Sequence, residues 1–323
     1  MGHLRSILGC INSTTAATSS PSSPHHAVLR ATRHRPTTTP PTPNSISALL
    51  IFGRSSRPVA AACVSSLLSR LTSSSSASVS LKSLLSFHHL LRHGSFILLD
   101  QISAATSLSR RNLLNLSSFR DASSAESWVL SDWVRWYARL VETLVSSSKT
   151  LGFFISSNSV RDSNMTDRVT SILTCDVLTE TETLIGIVEE VGKSPEMEIV
   201  GENGLVAEVV RMAEEDREVA EAEILIRLEE VKERLGFMSF GDSVVLGGLL
   251  KRLESLPVRS DRKGFWAGRL VGEIKAEMGG CGGGGERRLV GRDMGIQSAR
   301  FESRRVGLGQ PVRFGSARFG LIE

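Results

Sequence analysis

Six side chains between residues 133 and 144 constrain this chain most. Trp133, Trp136, Tyr137, Leu140, Val141 and Leu144 fall at i, +3, +4, +7, +8 and +11. That spacing puts all six on one face of an α-helix, and a face so large must be covered by other helices. The same period recurs in Val64, Leu67, Leu68 and Leu71, and in Leu81, Leu84, Leu85 and Leu91. It returns in Val169, Ile172 and Leu173, and in Ile224, Leu225, Leu228 and Val231. Helices are therefore expected over 59–71, 79–92, from about 123 onward, and over 166–191, 204–235, 241–256 and 264–277. Gly94 is a plausible stop, and Ser123 with Glu126 three residues on reads as a capping box. Pro257 separates the last two helices. The run Ile46 to Phe52 is too short for periodicity to separate a helix from a strand. The fold class is all-α, with about eight or nine helices stacked as a bundle or a superhelical α-solenoid.

The ends read differently. Residues 1–26 are expected to form a disordered or poorly ordered N-terminal segment, because 11–26 are rich in Ser, Thr and Pro. A short helix within Val28 to Arg35 would stop before Pro36, and Pro36 to Asn44 reads as an extended loop. Residues 27–277 make up the helical domain. Residues 278–323 read as a flexible Gly/Arg-rich tail, opening with a glycine break from Gly279 to Gly285 that contains Cys281.

Charge is unevenly spread. The net charge is +4, yet residues 1–165 carry 16 Lys and Arg against 6 Asp and Glu, and residues 166–260 carry 10 against 21. Asp100 is the first acid. An acid-free basic region favours phosphate-bearing partners, although a solvated basic face produces the same composition. The Ser/Thr/Arg-rich start also fits an organelle leader, but the acid-free composition runs through helical segments, further than a leader needs.

Catalytic signatures are missing. There is no phosphate-binding Gly-x-x-x-x-Gly-Lys loop, no Gly-x-Gly-x-x-Gly after a strand and no Gly-x-Ser-x-Gly elbow. His89 and His93 stand at the i, i+4 spacing of a metal pair, with no third ligand placed to complete it. His88 falls on the apolar side of its helix and reads as a hydrogen-bonded core histidine rather than a base. Trp128 to Trp136 reads as core. The chain is not expected to be an enzyme, to hold a metal or to need a cofactor. Aromatic residues are 5% of the chain, too few for a broad nucleic-acid stacking surface. Cys10, Cys63, Cys175 and Cys281 form no Cys-x-x-Cys pair, which suits a reducing compartment. No run of 18 apolar residues is available to span a bilayer. Gly2 with Ser6 fits a loose myristoylation pattern, with Cys10 as a second acylation candidate.

Four stretches in order carry a resemblance: VLRATRH at 28–34, SLKSLLSFHHLLRHG at 80–94, LSSFRD at 116–121 and WVRWYA at 133–138. GFFISS at 152–157 and SFGD at 239–242 extend it. Together they resemble the ANTH domain, and in particular the plant clathrin assembly group, from about residue 27 to 277. The resemblance implies an ENTH/ANTH-like α-solenoid that binds phosphoinositide head groups peripherally and recruits clathrin or adaptor proteins. It also implies work in endocytosis, at coated pits, clathrin-coated vesicles and the Golgi apparatus, on the cytoplasmic face of membranes. The family's lipid site is Lys-x9-Lys-x-(Lys/Arg)-(His/Tyr). Arg30 matches its first position in charge, and His34 matches the histidine of the accompanying Lys-Ala-Thr-x-His stretch. The second half falls on Pro40, Pro41, Thr42 and Pro43, where no cation stands. The candidate phosphoinositide residues are therefore Arg30, Arg33, His34 and Arg35, in a degenerate site. Arginine binds phosphate bidentately and compensates in part. A helical interaction scaffold without lipid binding is the alternative. No adaptor tripeptide stands in the tail, and the loose clathrin-box match at Leu225 to Glu229 lies within a helix stripe.

Overall fold

The computed structural model describes residues 23–108, 114–155, 157, 165–196, 202–256 and 267–282. Among them run eleven α-helices. The first six are α1 (Pro24–Ala31), α2 (Pro43–Ile51), α3 (Arg57–Ser73), α4 (Ala77–His93), α5 (Phe96–Leu108) and α6 (Ala125–Leu151). The rest are α7 (Met165–Ser171), α8 (Thr174–Val191), α9 (Gly204–Arg234), α10 (Phe240–Ser255) and α11 (Gly268–Gly282). No strand occurs among the described residues, and no helix among them is long and apolar enough to cross a membrane. Gly2, Cys10 and most of the two terminal segments lie outside the described residues.

Helices pack on partners two places along: α1 on α3, α2 on α4, α3 on α5, α4 on α6, α6 on α8, α8 on α10 and α9 on α11. This relay is the packing of a helical solenoid, in which each element covers its neighbours' apolar stripes. The stripe that opened the sequence argument is fully used. Trp133, Trp136, Tyr137, Leu140, Val141 and Leu144 are all buried.

Helix α4 departs from a one-sided reading. Helices α1, α2, α3, α5, α6 and α9 all contact it, so every residue from Ala77 to Arg92 except His89 is buried. Two of its serines tolerate this because they bond their own helix. Ser83 Oγ donates to the Val79 carbonyl at 2.8 Å, and Ser86 Oγ to that of Lys82 at 2.7 Å. Gly94 ends α4 as expected, but through space rather than backbone handedness. A Cβ there would lie 2.2 Å from the Leu90 carbonyl oxygen. At the end of α6, Gly152 takes the left-handed conformation, φ 77°.

Several boundaries move. Ser124, not Ser123, caps α6 and accepts from Ser127 N–H; Ser123 Oγ donates to Asp121 instead. Residues 46–52 resolve as helix because Thr42 caps α2 and Pro43 opens it. The single helix expected over 166–191 is two. Arg234 explains the break: its guanidinium reaches the Val169, Thr170 and Ile172 carbonyls at 3.2, 3.1 and 2.8 Å. It thus satisfies acceptors that a continuing helix would have used. Leu173 is left 69% exposed as the cap of α8. Helix α11 continues over Gly279 and Gly280 to Gly282, where the sequence reads as a glycine break; glycine weakens a helix by about 1 kcal/mol without forbidding it. Trp128 is half exposed rather than core, with the Arg120 guanidinium 5.5 Å over its ring.

Candidate functional site

The candidate cations sit on α1 and the loop that follows it. Ser23 caps α1, Pro24 opens it, and Ala27, Val28 and Ala31 bury its inner side. Thr32 closes the helix: its N–H and its Oγ1 both reach the Val28 carbonyl, at 3.0 and 2.8 Å, and Arg70 Nε from α3 donates to the same Oγ1 at 3.3 Å. With its inner side fixed, α1 presents Arg30 outward. Arg33, His34 and Arg35 follow on the loop, and all four side chains are exposed.

The loop itself is tied to the body. Lys82, buried in α4, sends its Nζ to the Arg33 carbonyl at 2.9 Å and to the Pro36 carbonyl at 2.5 Å. Burial lowers the pKa of this amine. Further along, the Thr38 carbonyl accepts from Leu205 N–H at 2.7 Å, at the start of α9. Backbone carbonyls therefore face the protein while the side chains of 33–35 face solvent. No carboxylate among the described residues pairs with Arg30, Arg33 or Arg35.

Two concavities divide the candidates. Arg30 and Arg33 share one of about 310 Å³ with His26 and Leu29. His34 and Arg35 line a second, of about 560 Å³, with Pro36, Thr37 and Thr38. The second half of the family pattern is occupied by structure instead of charge. Thr42 Oγ1 caps α2, at 3.3 Å from Ser45 N and 2.8 Å from Ser45 Oγ. The sequence reading missed His26 and Lys82. A lysine in the middle of a leucine-rich helix was the available signal for the second; the first needed the i, i+4 relation of 26 and 30 on α1.

The other chemical candidates resolve as architecture. His88 is fully buried. Its Nδ1 lies 2.8 Å from Tyr137 Oη and its Nε2 2.7 Å from Asp216 Oδ2. A carboxylate only accepts, so Nε2 carries the proton toward it. Arg92 reaches the other oxygen of Asp216 at 2.7 Å and also pairs with Glu215. Burial raises the Tyr137 phenol well above its usual value, so its hydroxyl keeps its proton. His89 stacks on His93 at 6.0 Å, and burial, helped by His88 and His93, pushes it down to about 4. No group of three or more His, Cys, Asp or Glu able to hold a metal occurs among the described residues. Cys63 is buried, its thiol pushed up to about 12 by desolvation. At 225–229, Arg227 and Leu228 are fully buried in α9, so that stretch is no exposed clathrin box.

Comparison with known proteins gives the context. The family model of the ANTH domain matches residues 24–205. The chain is 40% identical to "Putative clathrin assembly protein At4g40080" of Arabidopsis thaliana, over 93% of this chain and 87% of that one. It is 30% identical to "Putative clathrin assembly protein At5g10410" of the same plant, over 78% of this chain and 76% of the relative. A third, "Putative clathrin assembly protein At4g02650", matches at 40% over 35% of this chain and 18% of its own length. A solenoid of helices bearing the ANTH match, with one relative alike over 93% of its length and another over 78%, places this chain in the ANTH-domain clathrin assembly family, a family of non-enzymatic adaptors.

Proposed function

We propose that this protein docks peripherally on phosphoinositide-containing membranes through Arg30, Arg33, His34 and Arg35 and serves there as a platform for clathrin or adaptor proteins. One observation carries the reading. Three arginines and a histidine stand exposed, and none of the arginines has a carboxylate partner among the described residues, while Lys82 holds the backbone between them. Unpaired cations held near one another attract anionic head groups at about 1 kcal/mol per charge at a membrane surface. With Pro40, Thr42 and Pro43 in place of the cationic second half, binding is weaker and less selective for the bisphosphate than a complete pattern would give. Coated pits, vesicles and the Golgi are the compartments this role implies.

The test is vesicle co-sedimentation of the wild type beside the Arg30/Arg33/Arg35→Ala variant. Wild type should sediment with phosphatidylinositol bisphosphate vesicles and the variant should not. Equal binding to neutral and anionic vesicles removes the membrane role. The capping of α2 by Thr42 favours a second reading, a helical scaffold for protein partners that has given up lipid binding. That reading predicts clathrin or adaptor capture unchanged in the triple variant.

A further inference from the structure

Four hydroxyl side chains precede a proline among the described residues: Ser23, Thr39, Thr42 and Ser194. Two of them are committed to structure. Ser23 caps α1 by accepting from His26 N–H, and Thr42 caps α2 through Ser45. Ser194 is exposed but stands between Glu190 and Glu196 in the chain, where added negative charge is repelled. Thr39 differs on both counts. It is exposed, no hydrogen bond among the described residues holds its hydroxyl, and its neighbours are cations.

The backbone around Thr39 can be read by an enzyme. The basic loop is tied to the body as far as Thr38, whose carbonyl accepts from Leu205 N–H. The chain then passes without helix or turn to Thr42, which is extended at φ −69° and ψ 149°, before α2 begins. Pro40, Pro41 and Pro43 have no N–H, so this stretch keeps an extended form without bonding itself into a helical turn. Just before it, His34, Arg35, Thr37 and Thr38 line the concavity of about 560 Å³. No carboxylate occurs in the first 99 residues, and none among the described residues pairs with Arg35.

We infer that Thr39 is the acceptor of a proline-directed protein kinase, and that its phosphate pairs with Arg35 and withdraws the basic loop from anionic surfaces. An apolar pocket without an acceptor selects proline at the next position, because proline alone leaves no N–H stranded there. The step is a phosphoryl transfer. Thr39 Oγ1 bonds to the γ-phosphorus of ATP as the bond from that phosphorus to the bridging oxygen breaks. ADP leaves, and the hydroxyl proton passes to a base of the kinase. The product carries about −1.5 to −2 charges at pH 7, enough to offset most of what Arg30, Arg33 and Arg35 supply. Its oxygens match the guanidinium fork of Arg35, and His34 in the same concavity adds an N–H donor. The withdrawal from anionic surfaces rests on the membrane reading above; the modification of Thr39 does not.

The experiment incubates the full chain with magnesium ATP and a mitogen-activated protein kinase, then locates the phosphate by intact mass and peptide mapping. A phosphate on Thr39 is expected, absent from Thr39→Ala and retained by Thr39→Ser. Phosphate on Ser194 or another hydroxyl with Thr39 unmodified overturns the inference. Phosphorus NMR of the modified chain should show phosphothreonine titrating below its ordinary second pKa of about 6, and moving back toward it in Arg35→Gln. The same titration in both chains overturns the pairing. Binding is then measured on phosphatidylcholine vesicles with and without phosphatidylserine. Phosphorylation should weaken binding to the anionic vesicles about tenfold. Thr39→Ala should bind as the unmodified wild type does and lose all response to the kinase. Phosphorylated protein that binds anionic vesicles as tightly as unmodified protein overturns the withdrawal. If unmodified protein fails to distinguish anionic from neutral vesicles, the membrane reading falls and the withdrawal with it, while mass and NMR still decide the acceptor and its pairing.

Discussion

At the scale of single residues, the buried group around His88 is the most exacting feature of the protein. Asp216 has no exposed surface, and burial by itself would raise its pKa. His88 and Arg92 outweigh that penalty and hold the carboxyl below its usual range. A depressed folded value means stability that is present above the unfolded value, about 3.9, and lost as the pH falls through the folded one. Replacing Asp216 by Ala strands Arg92 and His88 without their acceptor, and should cost about 3–5 kcal/mol in urea unfolding near neutral pH. The gap between wild type and Asp216→Asn should begin to narrow below about pH 4, where the carboxyl of the unfolded chain takes up its proton while the folded one stays ionised to lower pH. Tyr137→Phe removes one buried hydroxyl bond and should cost about 1 kcal/mol. Half of this cluster was legible in the sequence. The place of His88 on an apolar stripe marked it as a core histidine. Asp216 was hidden because it stands in a run of acids that reads as a solvated face, and its partners arrive from distant helices. The lipid candidates show the converse. Arg30 and Arg33 were found from sequence, but His26 became visible only when α1 was seen to start at Pro24.

At the scale of elements, side chains from one helix finish the backbone of another, and this is where sequence reading fell short. The period of 166–191 is helical throughout, so nothing local announces a break at 172–173. The break exists because Arg234, far along the chain in α9, supplies donors to three carbonyls. Arg234→Ala should cost about 1.5–3 kcal/mol, and limited proteolysis should then cut first between α7 and α8. An unchanged cleavage pattern would mean that the break stands without the guanidinium. Lys82 does the same for the basic loop. Lys82→Met keeps the length of the side chain but abandons the Arg33 and Pro36 carbonyls. Amide exchange over 33–38 should accelerate, and anionic-vesicle affinity should fall while helicity is kept. The charge count of the loop is unaltered by this change, so a lost affinity would report its positioning. Arginine at 82 should restore part of the effect, because it too can donate to both carbonyls.

At the scale of the whole molecule, the two charged halves named by the sequence behave differently once folded. The acidic stretch is largely consumed internally. Glu180 pairs with Arg168 and Arg227, Glu223 with Arg227, Glu189 and Glu182 with Arg252, and Glu208 with Arg211. Composition could count these acids but could not show that arginines of the same stretch had already claimed them. Among the described residues the cations on α1 and its loop have no such partners, so the field they make points at the solvent. Their attraction for an anionic surface should therefore follow the Debye length, which shrinks from about 10 Å at 0.1 M salt to about 3 Å at 1 M. Binding to anionic vesicles should collapse across that range. The melting temperature should move little, since exposed ion pairs contribute about 0–1 kcal/mol each and the buried ones are poorly screened. Retention of vesicle binding at 1 M salt would mean that something other than the charge of these residues holds the protein to the bilayer.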